Sequence, residues 1–450
     1  MTTTLHPINQ LAAPSAPNLQ PNLTTIATRR ARTCDDAVLI LDGDTRSALA
    51  ATRSLGRRGI RVIVGDKTRR TLAGASHFCS ETITYPDPAK LPDEFISFVR
   101  TECLERRADV VLPMAEMSTT VILQHRSQLE PLVVPFPEFE TFDRLSDKAK
   151  LVKFAQELGI RVPKTELVAD VASLEPILGN FTFPVVIKPR RSIFPGARGW
   201  RHASVRYANS VQEIRHIVAQ HECFSRHPFL IQEYVPGESR GTFALYNRGR
   251  AVQFFSHRRL RENPPSGGVS VLCESAEHHP EALSMAKTLL DSVAWHGVAM
   301  VEFKISPHGT PYLIEVNGRF WGSLQLSIDS GVDFPWLVHQ LATGKELDAV
   351  REYSVGIRSR WLLGDLAAVM KALFGETSLT HTMSRRKLSL LIQVLNVFDG
   401  SRGDVNRWTD FKPFLLEFSQ ALQAIIDRFS NAGPESQKQK AIRQSCPLSR

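Results

Sequence analysis

The chain has 450 residues, which is too long for one ordinary domain and predicts two to four compact units. An apolar fraction of 42% is enough to build hydrophobic cores, which excludes a globally disordered protein. The net charge is +9, but residues 1–34 and 431–450 each carry a net +3, so six of the nine charges lie in predicted tails. The body is only mildly basic and shows no aromatic-studded basic patch, so we expect no nucleic-acid partner.

The six cysteines are scattered without CxxC pairs, which argues against a zinc site or a disulfide framework and favours free thiols. No apolar run approaches the roughly 20 residues that span a bilayer, so we expect no membrane partner. The N-terminus lacks the pattern of a secretory signal, although its acid-free, Thr-rich composition leaves an organellar transit peptide open. The sequence therefore predicts a cytoplasmic protein and leaves its oligomeric state unknown.

The first two regions of the chain differ sharply in composition. Residues 1–34 are rich in Pro, Thr, Asn and Ala, and are predicted to be a disordered tail. Residues 35–140 are predicted to form a parallel α/β domain, because strand-like runs at 37–41 and 61–64 flank a helical stretch. The fingerprint GxGxxG is absent after the first run, so a structural α/β layer is favoured over a dinucleotide site.

The remaining regions are an α+β domain, a helical region and a second tail. In residues 141–345, Ser146 and Asp147 can cap a helix, and antiparallel strands are expected further on. The expected strands are 183–187, 229–234, 241–246, 251–257, 298–305 and 311–316. Residues 346–430 are predicted to be mostly helical, and residues 431–450 a disordered tail.

The main chemical signal is a predicted hairpin near residue 310. Alternation along each strand places Glu302 on one face, and Glu315 and Asn317 on the corresponding face of the next strand. If the strands pair, two carboxylates and an amide oxygen converge, and such hard ligands suit Mg²⁺. The alternative is an ordinary hairpin with a solvated face, and the hairpin alone favours that alternative.

Three further segments carry possible binding groups. Lys188 follows a buried-strand run and can present a cation to phosphate, although a lone lysine more often lies at the surface. The segment 229–238 runs from an apolar strand into a Pro-Gly turn, where backbone groups can meet an adenine edge and Glu238 a ribose. In an extended strand, His257, Arg259 and Arg261 share one face, which either clamps an anion or forms a basic surface edge.

The order of these segments resembles the ATP-grasp superfamily over about residues 37–345. The matching motifs are Asp147-Lys148, Lys188-Pro189, Gln232-Glu233-Tyr234-Val235, Glu302 and Glu315-Val-Asn317. The stretches 257–262, 266–268 and 315–323 look like the carboxylate–amine ligase branch that is similar to the large subunit of carbamoyl-phosphate synthase. The resemblance implies a pre-ATP-grasp α/β domain followed by a two-lobed ATP-grasp domain.

The resemblance also implies roles for individual residues. It assigns ATP binding to Lys148, Lys188, Gln232, Glu233, Tyr234, Val235 and Glu238. It assigns Mg²⁺, or Mn²⁺, to Glu302, Glu315 and Asn317, without fixing whether one or two ions bind. Arg319, with Arg259 and Arg261, would contact the transferred phosphoryl group or the substrate carboxylate.

Two departures from the family pattern concern the substrate. Many relatives have Asn-Pro-Arg where this chain has Asn317-Gly318-Arg319, and the glycine is expected to loosen the turn and leave the position of Arg319 open. The loop after Lys188 contains Arg190, Arg191 and Arg198 instead of mainly Gly and Ser. That difference would restrict the loop or serve an anionic substrate.

The resemblance implies an ATP-dependent ligase that joins a small carboxylate to an amine through an acyl phosphate. A bicarbonate-activating enzyme similar to carboxylases is the first alternative, although no Met-Lys-Met biotin-attachment sequence is present. The second alternative is an ATP-binding module without catalysis, against which the intact set of acids argues. The sequence names neither the acid nor the amine.

Overall fold

The computed structural model describes residues 36–374 and 400–430, apart from residues 197–198 and 265–267. The two predicted tails, 1–34 and 431–450, lie outside the described residues, as do Arg198 and part of the predicted helical region. No helix in the described part of the chain is long and apolar enough to cross a membrane. The four cysteines within that part are free thiols.

The N-terminal part is a parallel sheet with helices, as predicted. Its elements are β1 (Ala37–Ile40), α1 (Arg46–Gly56), β2 (Arg61–Asp66), β3 (Glu81–Thr84), α2 (Pro92–Glu105), β4 (Val110–Leu112) and α3 (Glu116–Gln124). The strand order is β3-β2-β1-β4, and all three pairings are parallel. After β1, the chain adds β2 and β3 on one side of β1, and then places β4 on the opposite side of β1. In open α/β sheets, ligands bind at the carboxyl ends of the strands beside such a reversal.

A second sheet has its own small hydrophobic core. The elements are α4 (Phe139–Ser146), α5 (Lys148–Glu157), β5 (Thr165–Val168), β6 (Val185–Pro189), β7 (Ile193–Gly196), β8 (Gly199–His202), β9 (Arg206–Ala208), α6 (Val211–Gln220), α7 (Glu222–Ser225) and β10 (Phe229–Glu233). The sheet is antiparallel with the order β5-β10-β6-β9, while β7 and β8 form a separate hairpin. Asp147 caps α5 as predicted, because its side chain accepts hydrogen bonds from the backbone N–H groups of Ala149 and Lys150.

A large sheet forms one side of the molecule's main cleft. Its elements are β11 (Glu238–Asn247), β12 (Arg250–Asn263), β13 (Val269–Ser275), α8 (Pro280–Asp291), β14 (Gly297–Ile305), β15 (Pro311–Asn317), α9 (Leu324–Asp329) and α10 (Phe334–Thr343). The strand order starts β15-β14-β11-β12-β13, with antiparallel pairing throughout. One face packs into the same hydrophobic core as the N-terminal sheet.

The C-terminal part extends this large sheet. The elements are β16 (Arg358–Arg360), α11 (Leu362–Phe374), β17 (Arg402–Gly403) and α12 (Lys412–Ser430). Helices are present as predicted, but β16 and β17 were not predicted, because two or three residues are too short to show a period. The segment after β17 is fixed to α1 by Arg53, which is 1% exposed and donates to Asp410 over 2.8 Å.

Candidate active site

A cleft of about 540 Å³ lies between the second sheet and the large sheet. Its walls include Lys188, Glu233 and Tyr234 on one side, and Glu302 and Glu315 on the other. A volume of this size, with apolar walls and a few convergent charged groups, is typical of small-molecule sites. The cleft is therefore the candidate active site.

The predicted hairpin forms and brings the three expected metal ligands together. In the register of β14 and β15, Glu302 lies opposite Glu315, and Met300 lies opposite Asn317. The Asn317 side-chain N–H group donates to Glu302 Oε1 over 3.3 Å and to Glu315 Oε1 over 3.2 Å. The side chains of Glu302 and Glu315 are 14% and 28% exposed, so the alternative of an ordinary solvated face does not hold.

The two glutamates differ strongly in their electrostatic surroundings. Burial is the main cause that raises the pKa of Glu302 to about 7. Arg259 opposes this rise, and the neighbouring Glu315 adds to it. Burial also raises the pKa of Glu315, but Lys148 and Lys188 outweigh that effect and lower it to about 2. The surrounding cations therefore compensate the burial of Glu315 but not that of Glu302.

The residues present fit a divalent cation. Within the described residues there is no group of three His, Cys, Asp or Glu side chains arranged for a metal, so the set depends on the amide of Asn317. Two facing carboxylates are hard ligands, and Asn317, whose amide nitrogen faces them in this structure, would add its oxygen once its amide is turned; Mg²⁺ commonly takes a few such ligands and retains water. A cation between Glu302 and Glu315 would also remove the repulsion that helps to raise the pKa of Glu302.

Two lysines approach the acidic pair from different sides. Lys148 Nζ lies 3.5 Å from Glu315 Oε2 and borders a small cavity behind the hairpin. Lys188 lies at the end of β6, lines the cleft and is 8% exposed. Burial lowers the pKa of Lys188 to about 8, and Glu315 opposes that shift. The structure thus places both lysines beside the acids, as phosphate binding would require.

The segment predicted to hold adenine lines the opposite wall of the cleft. Glu233, Tyr234 and Val235 border the cleft at the end of β10, and Tyr234 is 38% exposed. Gln232 also borders it, but its side chain is 3% exposed and donates to Thr165 Oγ1 over 2.8 Å. The amide of Gln232 therefore serves the pairing of β10 with β5, and nucleotide binding by the other three residues stays a prediction.

Glu238 lies outside the main cleft. It borders a cavity of about 250 Å³ beside the cleft, shared with Arg259 and Lys304. Its carboxylate is paired with Arg240 and lies 3.8 Å from Arg258. The ribose assignment of Glu238 stays a prediction.

The three predicted catalytic arginines do not lie together. Arg259 lines the cleft and its guanidinium lies 2.5 Å from Glu302 Oε1. Arg261 donates instead to both carboxylate oxygens of Asp365, over 2.7 Å and 2.8 Å. The prediction that His257, Arg259 and Arg261 share one face fails for Arg261, because the pairing of β12 with β13 shifts register on both sides of Arg261, whereas it is regular from His257 to Arg259. His257 is fully buried, with its ring 4.7 Å from that of Phe243.

Arg319 lines the cleft two residues after Asn317. Its guanidinium donates to Phe320 O over 2.8 Å and to Asn317 Oδ1 over 3.3 Å, and it forms no ion pair within the described residues. The preceding Gly318 is closely packed, because a Cβ atom there would lie 2.8 Å from side-chain carbons of both Phe142 and Trp295. The expectation that Gly318 loosens this turn is wrong: the glycine allows the turn to pack tightly against the core.

Three charged residues that line the cleft were given no role from the sequence: Glu262, Lys304 and Arg46. Glu262 reaches the cleft because of the register shifts in β12, and Arg259 donates to it over 3.1 Å. Simple alternation could not reveal such a shift. Arg46 reaches the cleft from the start of α1, after the turn that follows the carboxyl end of β1. The rule for ligand sites in parallel sheets could have singled out that position.

Comparisons with known proteins agree with this geometry. A family model described as "ATP-grasp in the biosynthetic pathway with Ter operon" matches residues 225–364. The N-terminal section of the carbamoyl phosphate synthase large chain from Methanopyrus kandleri is 22% identical over 326 residues, which is 69% of this chain and 55% of that protein. D-aspartate ligase from Enterococcus faecium is 22% identical over 218 residues, which is 44% of this chain and 50% of that protein. The chain thus spans about half the length of these curated relatives.

A solved structure extends the likeness to the fold. The crystal structure of L-amino acid ligase from Bacillus licheniformis superposes with a TM-score of 0.55 at 17% identity, covering 69% of this chain and 75% of that one. Together, these matches show that the chain carries an ATP-grasp domain with homology to the carbamoyl-phosphate synthase large chain and to D-aspartate ligase.

Proposed function

We propose that the protein is an ATP- and Mg²⁺-dependent ligase that joins a small carboxylate to an amine and releases ADP and phosphate. The observation that carries the proposal is the facing pair Glu302 and Glu315, with Asn317 and two lysines beside it, in a cleft of small-molecule size. The homology to an ATP-grasp domain supports the same class of reaction.

The proposed reaction has two steps. An oxygen of the substrate carboxylate attacks the γ-phosphorus of ATP, the bond from that phosphorus to the β,γ-bridging oxygen breaks, and ADP leaves. The amine nitrogen then attacks the carbonyl carbon of the acyl phosphate, the carbon–oxygen bond to phosphate breaks, and the nitrogen loses a proton. Mg²⁺, when bound, neutralises charge on the phosphate oxygens.

The chain's own residues supply position and charge for these steps. Glu302, Glu315 and Asn317 would hold the metal, and Glu233, Tyr234 and Val235 would hold the adenine at the other wall. Lys148 and Lys188 approach Glu315 and would contact the phosphates, since a buried lysine offers a fixed cation. Arg319 forms no ion pair within the described residues and would bind the reacting carboxylate or the transferred phosphoryl group.

The test is ADP release by the Glu315→Ala variant. With paired panels of carboxylic acids and amines, we expect the wild-type chain to release ADP only when both substrates are present, with mass spectrometry showing an amide product. Glu315→Ala should lower this turnover at least about a hundredfold, since it removes a metal ligand and a partner of both lysines. Unchanged turnover would overturn the metal assignment, and amine-independent turnover that requires bicarbonate would favour a carboxylase-like enzyme instead.

A further inference from the structure

Arg46 enters the cleft from the N-terminal sheet. It is the first residue of α1, and the turn before it follows the carboxyl end of β1, where the strand order reverses between β1 and β4. Its neighbours along the cleft wall include Ser270, Trp321 and Gly322. Arg46 therefore lies where parallel α/β sheets generally place ligand-binding groups, and on the wall that continues beyond Arg319.

Three contacts fix the guanidinium of Arg46 in that place, and Gly322 leaves room for it. One terminal nitrogen, Nη1, lies 2.5 Å from Asp404 Oδ2, and the other, Nη2, donates to Ser270 O over 3.3 Å. The Cζ atom lies 4.3 Å from the ring centroid of Trp361. A Cβ atom at Gly322 would come within 2.8 Å of Nη2, so the absence of a side chain there lets the guanidinium lie against the backbone of the cleft wall.

A second arginine of the same helix shows what a purely structural contact looks like. Arg53 is one of the most deeply buried side chains and uses all three of its nitrogens: Nε donates to Asp410, Nη1 to Asp404 O, and Nη2 to Val405 O and Asp410 O. Arg46 also binds the segment that follows β17, but its Nε makes no hydrogen bond within the described residues and its side chain borders the cleft. Arg46 thus keeps donor capacity that Arg53 lacks, in a side chain that lines the cleft.

We propose that Arg46 binds an anionic group of the substrate other than the carboxylate that reacts. This inference rests on the proposed function and names the substrate class, an acid with a second negatively charged group. The reacting carboxylate lies near the metal ligands and Arg319, and Arg46 meets the second anion further along the same wall. Asp404 positions the guanidinium, and hydrogen bonds from a charged donor to a carboxylate are the strong kind.

The proposal can be tested by equilibrium binding without turnover. The full chain, saturated with Mg²⁺ and a non-hydrolysable ATP analogue, is titrated with glutarate and with valerate, which have the same number of carbon atoms. We expect glutarate to bind at least about tenfold more tightly than valerate. In the double variant Arg46→Gln/Asp404→Asn, the preference should fall to about twofold or less, while affinity for the nucleotide analogue is kept. Succinate and adipate, titrated in the same way, test neighbouring spacings of the two charges.

The double variant avoids leaving Asp404 charged without a partner, which a change of Arg46 alone would do. Arg58→Gln is the matched control, because Arg58 lies in the turn just after the same helix, pairs with Asp333 over 2.8 Å and stacks on Trp336, but borders a different cavity. It should keep the wild-type preference. If none of the three diacids binds more tightly than valerate, or if the double variant keeps the preference, the inference is overturned. If the nucleotide analogue itself fails to bind the wild-type chain, the proposed function fails first.

Discussion

The cluster of charged residues around Asp410 and the cluster around Glu302 differ in how completely the acid is satisfied. Asp410 is 3% exposed and accepts hydrogen bonds from Arg53, from Ser76 and from both the backbone N–H and Nδ1 of His77. Burial alone would raise the pKa of Asp410, but Arg53 and Ser76 lower it below its ordinary value. The carboxylate of Asp410 therefore has its hydrogen bonds and its counter-charge without any ligand.

Glu302 is the opposite case. Within the described residues it is bound only by Arg259 and Asn317, both at Oε1, and it faces a second glutamate. Burial raises the pKa of Glu302 to about 7 because those two partners do not offset the loss of water and the repulsion from Glu315. The difference suggests that the Asp410 cluster holds the fold together, whereas the Glu302 cluster is arranged for a ligand that carries positive charge.

The largest expected effect comes from exchanging each acid for its amide. Glu302→Gln should reduce ADP release about a hundredfold or more, since it removes a metal ligand, and should change the free energy of unfolding little. Asp410→Asn should do the reverse and lower the free energy of unfolding by about 3 kcal/mol, because it leaves the buried Arg53 without its anion. Denaturant unfolding and ADP release, measured on both variants, check this crossed pattern.

Either of two results would contradict this crossed pattern. If Asp410→Asn lost ADP release while remaining folded at the assay temperature, Asp410 itself would act in the active site. If Glu302→Gln were as destabilising as Asp410→Asn, the cleft acids would be structural.

The next effect is a pH dependence of metal binding. Because the pKa of metal-free Glu302 is raised to about 7, this group must lose a proton before it can ligate Mg²⁺ at lower pH. We expect affinity for Mg²⁺ to rise about tenfold per pH unit up to about pH 7 and to level off above it, with matching proton release in titration calorimetry. The pKa of Glu315 is lowered to about 2, so Glu315 stays ionised throughout this range.

The same shift predicts an opposite trend for the metal-free fold. A carboxyl group whose folded pKa lies above its unfolded value of 4.5 binds a proton more tightly when folded, so its contribution to stability is lost as the pH rises from about 4.5 through about 7. Saturating Mg²⁺ should remove that loss. The Asp410→Asn variant should show the wild-type pH profile of metal binding, since the pKa of Asp410 is shifted downward.

Gly318 lies where the cleft meets the hydrophobic core: its neighbours Asn317 and Arg319 line the cleft, and Gly318 itself packs against the core. A Cβ atom at Gly318 would lie 2.8 Å from Phe142 and from Trp295, so Gly318→Ala should cost about 1–3 kcal/mol of unfolding free energy. It should also weaken Mg²⁺ binding by shifting Asn317. Gly179→Ala is the matched control, since no atom lies within 4 Å of a Cβ atom there, and it should change neither quantity measurably.

The parts of the fold with a clear period were predictable, and the short or irregular parts were not. Apolar runs revealed the N-terminal parallel sheet and the hairpin of β14 and β15, because both faces of the first and one face of the second are buried. The strands β16 and β17 have three and two residues, which is too few for any period. Their position depends on distant partners such as Val271, whose carbonyl accepts from the backbone N–H of Trp361.

The candidate site divides in the same way. Glu302, Glu315 and Asn317 follow from alternation along the two strands, and the structure brings them together, because the register shift of this hairpin falls after Glu302 and leaves Glu302 opposite Glu315. Arg261 was misplaced because a bulge in β12 cancels the alternation. Arg46 comes from a segment more than two hundred residues away from the hairpin, so only the tertiary structure shows that it lines the same cleft.

The smallest expected effect concerns Glu238, an acid that shares features with both Asp410 and Glu302. Like Asp410, Glu238 is paired with arginine side chains. Its own side chain, however, is 35% exposed and borders the cavity beside the cleft. If it accepts a hydrogen bond from a ribose hydroxyl, Glu238→Gln should raise KM for ATP about two- to tenfold, with a smaller increase for 3′-deoxy-ATP. If it serves only its arginines, KM should stay unchanged, since an exposed pair contributes about 0–1 kcal/mol to stability. Glu281→Gln is the control, because Glu281 pairs with Arg161 over 2.8 Å at the surface, and a rise in KM there would mean that the assay reports general loss of structure.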